Sequence, residues 1–445
     1  MQGETVAVIG SGAREHELAR ALGESDQVAE VIGFPGNPGF DLLEKGRTEN
    51  VNIKELADIS RAVGELGVGF VVVGPEQPLV DGVVEYLAAK NPNVLVYGPS
   101  VAATLEKSKI DQRRLNELAG VRQPDWQEFS GLAGERMAFN YLQNRGARKA
   151  VLKADGLAGG KGALLIDDEE EALSAVHGML SGELFGEAGK RMIIEGRGSG
   201  PEVSGTYILD GNGRKVRLPF AQDHKRLTDS EEEGADNPNT GGMGAYSPLA
   251  EGLLTDEIIA EMDAGIDATA EVMEQQGRAV SGTIYRGYML IDGDKPMHIE
   301  DNSRFGDPEA EVIIPRVGVD FYELLSSAAR GELSFTQADI DRSIGRFALT
   351  VCLAAPGYPN NPQKGSEIFG IKEAYDDDTF IHFGGVAEED GRYYVNGGRV
   401  VFVTGFGDSL RAARNAAYHK IGHGGVSFKD MQVRYKIGAL GLEVR

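Results

Sequence analysis

The 445-residue chain has a single cysteine, Cys352, and no apolar run long enough to form a membrane-spanning helix. One cysteine excludes an internal disulfide framework and any zinc site built from several cysteines. We expect Cys352 to be an ordinary buried core residue. The N-terminus also lacks the charged and apolar regions of a signal peptide. These absences predict a protein of the cytoplasm.

Basic residues are scarce relative to acidic ones. Asp plus Glu number 69 and Lys plus Arg number 45, which gives a formal net charge of -24. Such a charge repels nucleic acid and anionic membranes except where cations are locally clustered. We therefore expect small-molecule partners, with no nucleic acid and no membrane partner. For the oligomeric state we expect a monomer or a weak homo-oligomer.

The pattern of apolar runs predicts an α/β protein with about two to four domains. Short apolar runs near the N-terminus alternate with helical segments, which is typical of a mostly parallel sheet. After residue 151 the strands are broken by glycine, and after residue 334 short strands are joined by hairpin turns. We predict an N-terminal α/β domain with a parallel sheet, a small subdomain around a glycine-rich loop, a larger subdomain, and a small C-terminal β-rich domain, at residues 1–120, 121–195, 196–333 and 334–445.

A glycine turn follows the first predicted strand. Gly10 and Gly12 fit a dinucleotide-binding pattern, but Glu15 occupies its last position and no acidic residue ends the second strand. NAD is therefore disfavoured. The start of the next helix still offers backbone N–H groups to an anion, and Arg14 adds positive charge. A tight turn with no ligand fits this segment equally well.

A second glycine-rich segment, KADGLAGGK at residues 153–161, has a lysine at each end. It lies between predicted strands and not before a helix, so it is not a Walker A loop. It fits a loop that closes on a triphosphate, with the lysines and backbone amides stabilising the charge of the transferring phosphoryl group. The alternative is a surface hairpin with solvated lysines.

Residues 299–309 read IEDNSRFGDPE and place Glu300, Asn302 and Arg304 at alternate positions. On an extended strand all three side chains then lie on one face. A carboxylate and an amide oxygen are ligands that Mg²⁺ prefers, and a guanidinium binds phosphate or carboxylate with two hydrogen bonds. The segment predicts a magnesium-phosphate site, although a solvated polar strand face would show the same pattern.

Residues 222–248 read QDHKRLTDSEEEGADNPNTGGMGAYSP. The basic cluster of His224, Lys225 and Arg226 suits phosphate. The glycines at residues 241–244 have no side chain to prevent a ligand from approaching the backbone closely. We therefore predict that this segment binds an anionic substrate.

Taken together, these motifs resemble a known family. An E-x-N-x-R strand behind a glycine loop with flanking lysines resembles the ATP-grasp ligases. Within that superfamily, the chain resembles the glycinamide ribonucleotide synthetase (phosphoribosylamine-glycine ligase) family from residue 6 to residue 436. PNTGGMGAYSP and RFGDPE are the most specific motifs; QDHKR, KADGLAGGKG, REHEL, VGPEQPL and NGGRV support them.

The resemblance implies an N-terminal pre-ATP-grasp domain, a two-part ATP-grasp domain and a step of purine biosynthesis. ATP would phosphorylate the carboxylate of glycine, and the amine of 5-phosphoribosylamine would attack the glycyl phosphate to give glycinamide ribonucleotide, ADP and phosphate. Two alternatives stay open at this point. One is a divergent ATP-grasp carboxylate-amine ligase that joins a different acid or amine. The other is a non-catalytic ATP-binding homologue.

The resemblance also implies roles for individual residues. Arg304, Lys225 and Arg226 would be catalytic, with Arg304 at the acyl phosphate, and Glu300 and Asn302 would bind Mg²⁺ or Mn²⁺. The expected ATP-binding residues, with Glu195 near adenine and Glu202 near ribose, are Lys109, Lys153, Gly159, Gly160, Lys161, Gly162, Glu195 and Glu202. The expected substrate-binding residues are Gly12, Arg14, Asp223, His224, Gly241, Gly242, Met243, Gly244, Asp307 and Pro308.

The chain departs from the family pattern at several positions near these sites. Ala13 and Glu17 stand where the family usually has Gly and Ala, and Ala310-Glu311 replaces Thr-Gln. Other departures are the glycine-rich stretch at 196–201, the acidic insertion at 230–237, and Arg286 on a strand where many ATP-grasp enzymes carry a carboxylate.

Overall fold

The N-terminal part of the chain forms a parallel sheet covered by helices. The computed structural model describes residues 3–147, 150–157, 162–166, 168–230 and 237–443. The first elements are β1 (Glu4–Gly10), α1 (Ala13–Gly23), β2 (Val28–Pro35), β3 (Gly46–Thr48), α2 (Leu56–Glu65), β4 (Phe70–Val73), α3 (Glu76–Val80), α4 (Val83–Lys90) and β5 (Leu95–Tyr97). Their strands form a five-stranded parallel sheet in the order β3-β2-β1-β4-β5. Consecutive buried apolar residues in β1 and β4 suit strands that are covered on both faces.

A small antiparallel sheet follows. Its elements are α5 (Lys109–Ala119), β6 (Trp126–Ser130), α6 (Gly131–Arg145), β7 (Ala150–Ala154), β8 (Ala163–Leu165), α7 (Glu169–Ser181) and β9 (Arg191–Gly196). The strand order is β6-β9-β7-β8. Helix α5 begins after Ser108, whose hydroxyl accepts a hydrogen bond from the backbone N–H of Asp111 at 3.0 Å.

A larger antiparallel sheet contains the E-x-N-x-R strand. This part comprises β10 (Glu202–Asp210), β11 (Lys215–Arg217), β12 (Gln222–Asp223), β13 (Gly244–Ser247), α8 (Asp256–Gln275), β14 (Ser281–Ile291) and β15 (Lys295–Asn302). The sheet order is β11-β10-β14-β15. β11 belongs to this sheet, whereas β12 and β13 join the C-terminal sheet. Gly244 permits this close pairing, because a Cβ on it would lie 2.4 Å from the carbonyl oxygen of Thr350.

The C-terminal part contains the predicted β-rich domain and, before it, two helices at residues 310–329 that fall within the predicted larger subdomain. It comprises α9 (Ala310–Ile313), α10 (Phe321–Ala329), α11 (Gln337–Ser343), β16 (Phe347–Ala354), β17 (Glu367–Ile368), α12 (Ile371–Ala374), β18 (Thr379–Phe383), β19 (Val386–Glu389), β20 (Arg392–Val395), β21 (Arg399–Gly407), α13 (Leu410–His419), β22 (Gln432–Val433) and α14 (Ala439–Glu443). The main sheet runs β12-β13-β16-β21-β18, with β22 paired to β16, and β17-β20-β19 form a second sheet. The fold class predicted from the sequence is confirmed. Within the described residues no helix is both long and apolar enough to cross a bilayer.

Two hydrophobic clusters bring the parts of the chain together. One joins the N-terminal sheet to α9 and α10 and includes Phe70, Phe305 and Phe321. The other fills the C-terminal domain and includes both Ala13, at the start of α1, and Met243, just before β13. As a result, the glycine turn after β1, the end of β15 and the segment before β13 lie close to one another.

Candidate active site

The strand β15 presents the predicted metal residues on one face. Glu300 and Asn302 lie opposite Gly287 and Tyr285 of β14 and are half-buried. Asp301, between them, points to the other face and is buried. The alternation predicted from the sequence is therefore present, and a carboxylate and an amide oxygen face the same side of the sheet.

Cations from separate segments surround Glu300. Burial alone would raise the pKa of its carboxyl group, but the charges of Lys225, Lys153 and Lys109 outweigh it and lower that pKa to about 2. Glu300 is therefore anionic at neutral pH. The lysines around Glu300 can balance the negative charge of a phosphate as well as that of the carboxylate.

Arg304 follows the strand and is held by acidic groups of the N-terminal part. Its Nε lies 3.1 Å from Glu106 Oε1 and 3.4 Å from Glu76 Oε2. Its NH1 and NH2 donate hydrogen bonds to the carbonyl oxygen of Phe305 at 3.1 Å and to Asn302 Oδ1 at 3.3 Å. These contacts fix the guanidinium beside the two metal residues.

The predicted ATP residue Lys153 lies against this strand. Its Nζ is 2.5 Å from Glu195 Oε1 and donates a hydrogen bond to the carbonyl oxygen of Ile299 at 3.3 Å. Glu195 Oε2 also accepts hydrogen bonds from Nε and NH2 of Arg113 at 2.9 and 2.7 Å. The carboxylate of Glu195 is thus occupied by two cations, and its clear structural role is to position Lys153.

Lys109 lies at the first turn of α5, which is tied to the glycine-rich segment. Asp155, two residues after Lys153, accepts hydrogen bonds from the Ser108 hydroxyl at 2.7 Å and from the Ile110 N–H at 2.9 Å. Gly162 accepts a backbone hydrogen bond from Ala154 at 2.8 Å. The other predicted loop residues, Gly159, Gly160 and Lys161, lie outside the described residues.

Lys225 and Asp223 face the metal strand from the segment around β12. Lys225 Nζ lies 3.1 Å from Glu202 Oε2. Burial and the nearby charges of Glu309, Glu202 and Glu300 raise the pKa of Asp223 to about 7, with Lys225 opposing them. Glu202, predicted near ribose, therefore lies beside the predicted amine-substrate residues.

His224 and Met243 are turned away from the site. The His224 ring is buried, and its Nε2 accepts a hydrogen bond from the Gly438 N–H at 3.1 Å. Burial and the charge of Arg434 lower the pKa of His224 to about 3. The Met243 side chain is fully buried in the C-terminal core. Neither side chain is placed to contact a substrate, because strand alternation that points Asp223 and Lys225 outward points His224 inward.

The glycine segment at residues 241–244 packs closely against other residues of the chain. A Cβ on Gly242, which has φ +109°, would lie 2.4 Å from Pro308 Cδ. The carbonyl oxygen of Gly241 accepts a hydrogen bond from Arg399 NH1 at 2.5 Å. Arg399 NH1 also donates to the carbonyl oxygen of Asp307 at 2.9 Å, and NH2 lies 3.0 Å from Asp307 Oδ1. The packing of Pro308 against Gly242 and of Thr350 against Gly244 is by itself sufficient to require glycine at these two positions.

The glycine turn after β1 meets the same place. Arg14 Nε donates to Glu15 Oε1 at 2.6 Å, and Arg14 NH1 donates to the carbonyl oxygen of Phe305 at 3.2 Å. Glu15 Oε2 accepts a hydrogen bond from the Gly12 N–H at 2.6 Å. The Glu15 side chain fills the space inside the turn, so this segment is closed to a dinucleotide pyrophosphate. Asp307 lies next to Gly12, 3.6 Å from where a Cβ would be.

Comparison with known proteins decides the family. Models of the phosphoribosylglycinamide synthetase N domain, ATP-grasp (A) domain and C domain match residues 4–106, 107–310 and 348–440. The chain belongs to the phosphoribosylglycinamide synthetase family. A phosphoribosylamine--glycine ligase of Ralstonia nicotianae is 38% identical over 97% of this chain and 98% of that protein. The human trifunctional purine biosynthetic protein adenosine-3 is 36% identical over 97% of this chain and 41% of its own length.

A solved structure agrees with the family assignment. The phosphoribosylamine--glycine ligase of Thermotoga maritima superposes with a TM-score of 0.81 at 31% identity, over 97% of this chain and all of that one. The family's ligases use ATP through the ATP-grasp domain, and the expectation of an ATP-grasp ligase is confirmed.

Within the described residues, the predicted metal residues Glu300 and Asn302 do not belong to a larger cluster of metal-binding side chains. In the part of the chain that the structure describes, no group of three His, Cys, Asp or Glu side chains can hold a metal ion by itself. An ion bound by one or two protein oxygens and by substrate phosphates needs no such group.

Three departures from the family pattern lie away from the metal residues. Arg286 points to the buried face, where its Nε and NH2 donate to the two carboxylate oxygens of Asp301 at 2.6 and 2.8 Å. Ala13 packs into the C-terminal core. Glu17 is fully buried, and its Oε2 lies 2.7 Å from His382 Nε2, while Arg20 NH2 lies 2.7 Å from its Oε1. These residues join parts of the fold and do not add charge to the site.

Three residues that support the site were not predicted from the sequence. Arg399, Glu76 and Glu106 come from distant segments and act through Asp307 or Arg304. Arg399 and Glu76 fall within the family motifs NGGRV and VGPEQPL, so a residue-by-residue comparison of those motifs would have found them. Glu106 has no motif, and nothing in its local sequence indicates that it pairs with Arg304.

Proposed function

We infer that this chain is an ATP-dependent ligase that joins glycine to 5-phosphoribosylamine through a glycyl phosphate. The observation that carries this function is the convergence of Lys109, Lys153 and Lys225 on Glu300. Three cations around one carboxylate form a site for a polyphosphate and its counter-ion. The match of all three family domains supplies the identity of the substrates.

In the first step, a carboxylate oxygen of glycine forms a bond to the γ-phosphorus of ATP while the bond to ADP breaks. Lys109 and Lys153 lie where they can bind the phosphates and balance the negative charge that ADP retains. Arg304, held by Glu76 and Glu106, orients the glycine carboxylate and then the acyl phosphate. The chain contributes mainly alignment and charge balance, because phosphoryl transfer requires little covalent chemistry from the protein.

In the second step, the amine nitrogen attacks the carbonyl carbon of glycyl phosphate. The bond from carbon to the phosphate oxygen breaks, phosphate leaves, and the nitrogen loses a proton as the amide forms. Arg14, Lys225 and the backbone near Gly12 are the groups that we assign to the phosphate of the amine substrate. Asp223 and Asp307 are assigned to its polar groups, and Gly241 and Pro308 shape that side of the site. We assign Arg226, the residue after Lys225, as a second cation on the amine-substrate side of the site.

Glu300 and Asn302 are the residues that would hold a divalent cation, Mg²⁺ or Mn²⁺. Their oxygen donors lie on one strand face, and Glu300 is anionic, so the donor set fits either ion. When bound, such an ion withdraws charge from the phosphoryl oxygens as a Lewis acid. The chain's own part is to fix both oxygens on one strand face and to hold Arg304 just beyond the end of that strand.

The test is ADP release with ATP and magnesium, with 5-phosphoribosylamine made in place from ribose 5-phosphate and ammonia. We expect turnover that requires glycine and the amine together, and at least tenfold less with alanine or aspartate. Equal rates with the three amino acids would contradict glycine as the substrate. No ADP release with any acid would contradict catalysis and favour an ATP-binding role.

The cellular setting is a proposal of the same kind. We propose action in the cytoplasm on small molecules, because ATP is supplied there and the buried Cys352 needs no oxidising compartment. We also propose a monomer or a weak homo-oligomer, which size-exclusion chromatography with light scattering would measure directly.

A further inference from the structure

Glu311, in the short helix α9, is a carboxyl group buried with no exposed surface. Neither of its oxygens meets a hydrogen-bond donor outside the residue's own backbone, among the residues that the structure describes. Burying an ionised carboxylate without donors costs far more free energy than burying the protonated acid. The geometry therefore raises the question of which cation, if any, balances Glu311.

The cation that interacts electrostatically with Glu311 is Arg399, and Arg399 already binds other groups. Arg399 NH1 donates to the carbonyl oxygens of Gly241 and Asp307 at 2.5 and 2.9 Å, and NH2 lies 3.0 Å from Asp307 Oδ1. The Arg399 guanidinium thus interacts electrostatically with two carboxyl groups, Asp307 and Glu311, and forms its ion pair with Asp307. Two carboxyl groups beside one cation leave an excess negative charge unless one of them keeps a proton.

Among the described residues, the other elements packed against α9 supply no second unpaired cation for Glu311. On α1, Arg14 is bonded to Glu15 and to the carbonyl oxygen of Phe305, and Arg20 is paired with Glu17 and Glu24. Burial lowers the pKa of His16, which is on the same helix. The group that lies near Glu311 on β16 is the neutral, buried thiol of Cys352. Further titratable groups in this region are Glu309, which adds negative charge, Tyr246 on β13, which donates to Gln222, Arg316, which donates to Ser247, and His382 on β18, which pairs with Glu17.

We propose that Glu311 keeps its proton in the working enzyme and is a positioning residue for the amine-substrate side of the site. As a neutral acid it leaves Arg399 to Asp307 and to the carbonyl oxygen of Gly241, which holds the Gly241-Gly242 turn against Pro308. An ionised Glu311 would repel Asp307 and compete for Arg399. The positioning role rests on the function proposed above, whereas the protonation does not.

The electrostatics agree with this geometry. Burial, and next the charge of Asp307, raise the pKa of Glu311 well above its ordinary value of 4.5. A carboxyl group whose pKa is raised by folding stabilises the folded state fully below its unfolded pKa, and this stabilisation is lost as pH rises through the folded pKa.

The first experiment compares the full-length wild type with Glu311→Gln. Infrared spectra with labelled glutamate should show a protonated carboxyl band at about pH 7 that Glu311→Gln removes. Above about pH 4.5, the ratio of folded to unfolded protein should fall for wild type relative to Glu311→Gln, by up to tenfold per pH unit. Absence of the band, or the same pH dependence of the urea midpoint in both proteins, would overturn the proposal.

Glu17→Gln is the matched control. Glu17 is equally buried, but the charges and hydrogen bonds of Arg20 and His382 together outweigh its desolvation and lower its pKa. Its contribution to stability is present above the unfolded pKa and is lost as pH falls, so the difference from wild type should have the opposite sign of pH dependence. If both variants shifted in the same direction, a general effect of substitution at this junction would be the explanation, and the proposal would fail.

The second experiment tests the positioning role by kinetics. Glu311→Gln should keep kcat and the KM for ATP within about twofold of wild type. At high pH, the KM for the amine should rise more in wild type than in Glu311→Gln, while the KM for ATP changes equally in both. The protonation state of the amine substrate also changes with pH, but it affects the KM of both proteins equally and therefore cancels in the comparison. An equal rise in both would overturn the positioning role, and absence of turnover in both proteins would instead overturn the proposed function.

Discussion

The ammonium group of Lys153 lies 2.5 Å from the carboxylate of Glu195, and both side chains are buried. Arg113 binds the other oxygen of that carboxylate and also donates to the carbonyl oxygen of Ile299 at 2.7 Å, on the metal strand. One carboxylate thus connects the proposed ATP lysine, helix α5 and the strand that bears Glu300. This contact therefore holds together the parts of the site that we propose for the nucleotide and for the metal ion.

We predict that Glu195→Gln destabilises the fold by roughly 3–5 kcal/mol, because it leaves Arg113 and Lys153 buried without their anion. The KM for ATP should also rise, since Lys153 loses its position. Urea unfolding and steady-state kinetics would measure the two effects. Glu128→Gln is the control: Glu128 pairs with Arg114 at the surface, and its loss should cost about 1 kcal/mol or less. A cost for Glu195→Gln as small as the control's would contradict the structural role.

Glu300→Gln should lower kcat by roughly 10²-fold or more while the fold stays intact, because an anionic oxygen of the proposed metal site is lost. The measurement is turnover as a function of magnesium concentration, with circular dichroism to check folding. Turnover like that of wild type at every magnesium concentration would contradict the assignment of Glu300.

For the neighbouring residue, Asp301, we expect a loss of stability, whereas for Glu300 we expect a loss of turnover with the fold intact. Asp301 is fully buried on the other face and binds Arg286 through both oxygens. Asp301→Asn should destabilise the fold by roughly 3–5 kcal/mol. Burial opposes the ionisation of Asp301, but the charge of Arg286 lowers its pKa below the ordinary 3.8. The stability it contributes is therefore present above about pH 4 and is lost as pH falls further, and acid titration of urea midpoints for both proteins should show the difference shrinking.

The sequence predicted what depends on local periodicity. The positions of Glu300 and Asn302 on one face follow from strand alternation, and the same alternation accounts for the burial of His224 between the partly exposed Asp223 and Lys225. The parallel sheet followed from the apolar runs around Val6 and Phe70.

The parts that could not be predicted depend on long-range pairing. Arg113 meets Glu195 across 82 positions, and Arg399 meets Asp307 across 92, and no spacing rule connects such residues. The basic cluster suggested that His224 serves phosphate, yet its ring is used by the Gly438 N–H. The glycines at residues 241–244 indicated that another group approaches the backbone closely. In the structure, Pro308 approaches Gly242 and the carbonyl oxygen of Thr350 approaches Gly244.

Lys225→Ala should raise the KM for the amine substrate by roughly tenfold with a smaller change in kcat, as expected when a cation binds a phosphate equally in the ground and transition states. Initial rates with varied amine and varied ATP would separate the two substrates. Lys215→Ala is the control, because Lys215 lies on β11 and pairs with Asp267 near the surface. If Lys225→Ala changed the KM for ATP alone, Lys225 would belong to the nucleotide site.

Gly242→Ala tests whether the glycine segment is shaped by Pro308. A left-handed backbone costs a non-glycine residue roughly 1–2 kcal/mol, and the new methyl group would also meet Pro308 Cδ at 2.4 Å. Gly252→Ala is the matched control: Gly252 also has a positive φ, of +81°, but its Cβ would meet no described atom within 4 Å. We expect Gly252→Ala to cost stability alone, and Gly242→Ala to cost more and to raise the KM for the amine, because the displaced Pro308 adjoins Asp307. Equal stability losses with unchanged KM values in both variants would show that Pro308 yields to the methyl group and that the turn is not held by this contact.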